Sequence, residues 1–104
     1  MAPKLIVMLT HNDHTVRNAL ELFDKVGHAK AVHWGFKEDG IPLDEMKKLA
    51  ANMKTAGKQT YLEVVAYTEE ECLTGARMGV ECGIQTVMGT LYFPSIAKLL
   101  RGIS

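Results

Sequence analysis

The stretch Thr60-Tyr61-Leu62-Glu63-Val64-Val65-Ala66-Tyr67, continued by Thr68-Glu69-Glu70-Glu71, decides how the chain is read. Leu62, Val64 and Ala66 alternate with Tyr61, Glu63, Val65 and Tyr67, which gives an extended strand one apolar and one mixed face. Thr68 and Glu71 have capping-box spacing. Leu73, Ala76 and Val80 then recur at helical spacing up to Gly83. A strand that feeds straight into a helix is one βα unit.

The same plan extends in both directions. Upstream, the strand-like run Leu5 to Thr10 is continuously apolar through Leu9 and is followed by a polar turn, His11-Asn12-Asp13-His14. Val16, Ala19, Leu20, Phe23 and Val26 then predict a helix that stops at Gly27. In the next unit, Ala29 to Phe36 is predicted as a strand and Lys37-Glu38-Asp39-Gly40 as a loop. Pro42 suits a first helical turn, and Leu43, Met46, Leu49, Ala50, Met53 and Ala56 form the apolar stripe that follows. Downstream, Ile84 to Thr90 predicts a fourth strand, with a last helix starting near Pro94 or Ser95. Four consecutive βα units in residues 1–104 predict a single α/β domain with a parallel sheet and right-handed crossovers.

Two architectures accept such units: an open, flavodoxin-like doubly wound sheet and half of a (βα)8 TIM barrel. A doubly wound sheet covers both faces with helices, and a mid-strand Glu63 then needs a buried partner. A barrel interior accommodates Glu63, Tyr61 and Tyr67 near its polar mouth. The second strand has the same split, with bulky Val32, Trp34 and Phe36 alternating with Ala31, His33 and Gly35. The barrel unit is therefore the expected one.

The runs LIVMLT (5–10), AGKQTYLEVVAYTEEE (56–71) and GVECGIQTVMGT (79–90) resemble the first half of a phosphate-binding (βα)8 barrel. Ribulose-phosphate-binding barrels and glycerol-uptake antiterminator barrels are the nearest comparisons, and the likeness of layout covers nearly the whole chain. It implies a small phosphorylated or carboxylated metabolite as ligand. The epimerases of the first group carry a His-x-Asp metal pair on the second strand. Here that stretch is His33-Trp34-Gly35, so their metal pair is not implied.

Composition narrows the function classes. Twelve Lys plus Arg balance twelve Asp plus Glu, giving zero formal charge in 104 residues. No electrostatic footprint for nucleic acid or an anionic membrane results. The apolar run at the N-terminus is too short for a signal peptide or a membrane helix. Cys72 and Cys82, ten residues apart on one predicted helix, stand ~15 Å from each other and cannot pair. A cytoplasmic protein with two reduced, buried thiols is expected. A complete barrel takes ~250 residues, so the expected partner is a second copy or a C-terminal half.

In βα proteins the functional rim lies at the C-terminal ends of the strands. That rule selects Glu63, His33 and Asp13 as candidate acid/base residues. His11, Asn12, His14, Lys37 and Thr90 are candidate ligand contacts. His11, Asp13 and Glu63 are candidate ligands for a divalent metal, although no strong zinc spacing occurs. Apart from Lys30 at the start of the second, no lysine falls inside a predicted strand, so a Schiff-base lysine would have to come from outside this segment. The expected activity is acid/base chemistry of the lyase or isomerase type. The alternatives are a non-catalytic ligand-binding or regulatory barrel, or a half-barrel with no assembled site.

Overall fold

The computed structural model describes residues 5–12, 14–89 and 99. Four parallel strands form the main sheet: β1 (Ile6–Met8), β4 (His33–Lys37), β5 (Gln59–Glu63) and β6 (Thr86–Met88), in that spatial order. Between β1 and the first helix, β2 (Thr10–His11) and β3 (His14–Thr15) pair antiparallel as a small hairpin. The helices are α1 (Ala19–Val26), α2 (Leu43–Thr55) and α3 (Glu69–Cys82). Among the described residues no helix is long and apolar enough to cross a membrane.

Strand order here follows chain order. Right-handed crossovers that all step in one direction place every connecting helix on the same face of the sheet. The packing agrees. Trp34 meets Phe23 of α1 edge-on, with ring centroids 5.2 Å apart. A Cβ on Gly79 of α3 would come within 2.6 Å of Val87 and 3.4 Å of Leu62. One apolar cluster, containing Trp34, Phe36, Met46, Leu49, Met53 and Leu62, fills this side, and helical Leu99 packs against it. Tyr61 is buried too, yet lies outside the cluster because its side chain points to the opposite face. The reversal of strand order that defines a doubly wound sheet does not occur among the described residues, so the flavodoxin-like alternative is set aside.

Side chains complete the ladder where strands part. β1 ends at Met8, and beyond it the Thr15 hydroxyl accepts from Lys37 N–H at 2.8 Å and donates to Lys37 O at 2.9 Å. At the start of β6, Thr60 N–H donates to Gln85 Oε1 and Gln85 N–H to Thr60 Oγ1 (2.8 and 2.9 Å).

Several boundaries differ from the sequence expectation. Within the turn expected at residues 11–14, His11 and His14 are register partners of the β2–β3 hairpin. The second strand, expected from Ala29, begins only at His33. Lys58 Nζ holds the carbonyls of Ala29 and Ala31 at 2.8 and 2.7 Å, and Trp34 Nε1 also donates to Ala31 O. Those carbonyls therefore serve a loop. The third strand ends at Glu63, which leaves Val65 and Tyr67 exposed in the connection to α3. Thr68 caps α3 as its spacing predicted, accepting from Glu71 N–H. Cys72 and Cys82 are free and buried, and burial pushes the Cys82 thiol up, away from the thiolate form. Thr90 and the start of the last predicted helix lie outside the described residues.

Candidate functional site

The rim at the C-terminal ends of the strands is built from four connections. The β2–β3 hairpin follows β1, and Glu38-Asp39-Gly40 follows β4. The run Val64–Thr68 follows β5, and Gly89 follows β6. Alternation along the strands fixes what each contributes. Trp34 and Phe36 point to the helices, so His33, Gly35 and Lys37 point to the opposite face. Leu62 points to the helices, so Tyr61 and Glu63 share that opposite face.

Lys37 and Glu63 are register partners at the last positions of β4 and β5. Their Cβ atoms are therefore about one strand spacing apart, ~4.8 Å. Lys37 is buried and Glu63 half-buried. The Glu63 carboxylate makes no hydrogen bond or ion pair within the described residues, so the partner that burial demanded of it is not found there.

His33 sits elsewhere than expected. It opens β4 rather than closing it, four residues and ~13 Å from Lys37 along the strand. Its Nδ1 lies 2.8 Å from the Tyr61 hydroxyl, with the two rings edge-on. That pair is at the strand-start end of the helix-free face. His33 therefore does not share a reacting atom with Glu63, and its expected place on the functional rim is corrected.

The hairpin carries His11, Asn12 and His14 to the rim, all exposed. Asn12 adopts a left-handed backbone (φ 51°), as an asparagine in a tight turn can. His14 Nδ1 reaches Asp39 Oδ2 at 2.8 Å. With side chains 63% and 40% exposed, this contact orients the hairpin more than it stabilises the fold. Asp13 and Thr90 lie outside the described residues. Among the described residues no three His, Cys, Asp or Glu side chains converge into a metal-binding group.

Three further residues, none of them among the acid/base, ligand-contact or metal candidates, shape the rim. Thr15 joins the hairpin to β4 through the two bonds on Lys37. Asp39 holds His14, and its Oδ1 is buried with no hydrogen-bond partner among the described residues. Glu38 reaches back across the end of β5, where its Oε2 accepts from Val65 N–H at 3.3 Å. Burial raises the Glu38 carboxyl above its usual 4.5, opposed by the N–H groups of Glu38 and Val65. Glu38 also lines a cleft of about 280 Å3 between the end of β5 and the first turns of α3, shared with Val65, Glu70, Glu71, Thr74 and Met78. A polar loop gave no sign of which of its acids would be half-buried.

Two outcomes test this arrangement. Thr15→Val leaves the Lys37 N–H and C=O without the hydroxyl and should cost about 2–4 kcal/mol in urea unfolding, whereas Thr15→Ser, which keeps it, should cost about 1. Glu38→Gln reports on the carboxyl. Its raised folded-state pKa makes wild-type stability fall as pH rises from about 4.5 through the folded value. The variant lacks that loss. Its stability relative to wild type should therefore increase over the same window and level off above it, as read by thermal melts between pH 4 and 8.

Comparison with protein-family models, with curated proteins and with solved structures found no match.

Proposed function

We propose that the helix-free face and C-terminal rim of this sheet form one wall of a ligand site in a (βα)8-type barrel, acting by acid/base chemistry on a small phosphorylated or carboxylated metabolite. One observation carries the reading: Lys37 and Glu63 lie side by side at the strand ends on the face that no described helix covers. An ammonium there recognises an anionic group. The neighbouring carboxylate is placed to move a proton from a carbon or oxygen of the same ligand. Glu38, whose carboxyl burial raises above its usual range, is the second proton-handling group of the rim.

A binding role without turnover is the second reading. The position of His33 favours it, because the imidazole expected beside Glu63 lies at the other end of the strand.

The test is a panel of small phosphorylated and carboxylated metabolites, scored by thermal shift and by solvent deuterium incorporation into the bound compound. The expected result is a stabilising ligand whose affinity falls at least tenfold in Lys37→Met. Deuterium incorporation abolished by Glu63→Gln identifies the acid/base role, and binding without incorporation identifies the second reading. Binding unchanged in Lys37→Met overturns the site.

A further inference from the structure

Resting on the barrel reading above, we infer that a second copy of this chain closes the sheet: the outer edge of β1 in each copy pairs in parallel with the outer edge of β6 in the other. The peptide groups supply the first argument. Leu9 N–H donates inward to Gly35 O at 2.9 Å, so by alternation the peptides of Ile6 and Met8 face outward. Met88 O accepts inward from Val64 N–H at 2.9 Å, so the peptide of Val87 faces outward on the opposite edge. Among the described residues neither edge has a further strand beside it. Unpaired edges of this kind are templates for another chain, and Leu5, an apolar residue 77% exposed, directly precedes β1.

The geometry selects the occupant. Strand order matching chain order makes the two edges complementary: one is the first strand of a parallel series and the other its fourth. A two-fold axis along the barrel sets the fourth strand of each copy beside the first strand of its partner, with all strands still parallel. Four strands and four make eight, the number that closes a barrel around an interior filled by side chains. Ile6, Met8, Tyr61 and Met88 provide that filling from each copy, and Gly35 provides the space between Met8 and Tyr61. Zero net charge means two copies approach without net repulsion. All C-terminal strand ends then lie at one mouth, so Lys37 and Glu63 of both copies line the same site, and one copy alone supplies half of it.

The test uses the 104-residue chain, with sedimentation equilibrium and amide hydrogen exchange. The expected mass is twice the 11.5 kDa of the chain. The Ile6 and Met8 amides should be protected to a degree that rises with protein concentration. Ile6→Pro and Met8→Lys should each give a monomer with native circular dichroism, and Val80→Glu, on the solvent side of α3, should leave the dimer unchanged. A monomer at every concentration overturns the closure. So does a dimer whose Ile6 and Met8 amides exchange freely, or one broken by Val80→Glu alone. The two proposals fail separately: a monomer that binds a metabolite through Lys37 keeps the site and loses the closure. A dimer whose ligand binding is indifferent to Lys37→Met does the reverse.

Discussion

Trp34→Ala should lower stability by about 3–5 kcal/mol, read as a fall in the urea midpoint with little change in slope. Trp34 is 2% exposed and its ring meets Phe23 edge-on at 5.2 Å. Its Nε1 donates to Ala31 O, and the Lys58 ammonium stands 5.7 Å from the ring centroid. Losing the indole therefore opens a cavity between β4 and α1 and removes an anchor of the loop that delays the start of β4. A domain of this size has a total stability of about 5–15 kcal/mol, so the variant should sit near its unfolding threshold at 37 °C. Phe23→Leu, which keeps most of the volume beside an intact Trp34, should cost under half as much.

Gly40→Ala should produce a loss of similar order, about 3 kcal/mol, by a different route. Gly40 has φ +96°, a conformation that side chains rarely adopt. A Cβ there would also collide with the backbone O, N and C of Thr15. The loop after β4 and the hairpin after β1 thus touch backbone to backbone, and the added methyl forces them apart. The damage should be local as well as global. Amide exchange at Lys37, bonded to the Thr15 hydroxyl, should accelerate more than exchange at Leu62. Gly57→Ala is the control, since Gly57 also has positive φ (+78°) but nothing within 4 Å of an added Cβ. Backbone strain alone, about 1 kcal/mol, should be its cost.

The contrast between these glycines shows where sequence reading reaches and where it stops. Gly57, Gly27 and Gly83 all follow helical stripes, and position alone marks them as helix ends. Nothing around Gly40 announces that Thr15, 25 positions earlier, will lie against it. The βα alternation was legible for a similar reason. Periodicity is local, and the stripes of α2 and α3 with their charged flanks are written within single windows. Strand limits were less legible, because side chains distant in sequence set them: Lys58 and Trp34 occupy the carbonyls before His33, and Thr15 replaces β1 beside Lys37. That delay moved His33 to the strand-start end, which no reading of residues 29–36 alone could foresee.

The site was half legible. Alternation placed Glu63 on the face away from the helices, and the rule of strand C-termini selected Lys37, both of which share one end of the sheet. Glu38 and Asp39 were visible as loop acids. Their burial depends on the crossing of β4 and β5 connections, which is a tertiary property. The order of strands was also beyond the sequence, since both candidate architectures contain the same units and differ only in the position of β1.

The proposed site depends on that position. Nuclear Overhauser contacts in a uniformly labelled sample measure it directly. The expected result is cross-strand contacts from β1 to β4 alone (Val7 with Trp34, Met8 with Gly35), together with Tyr61 ring contacts to His33 and none to α2 or α3. Contacts that place β1 between β4 and β5, or a Tyr61 ring packed against a helix, would contradict it. Lys37 and Glu63 would then face a helical layer, and the proposed site would be lost.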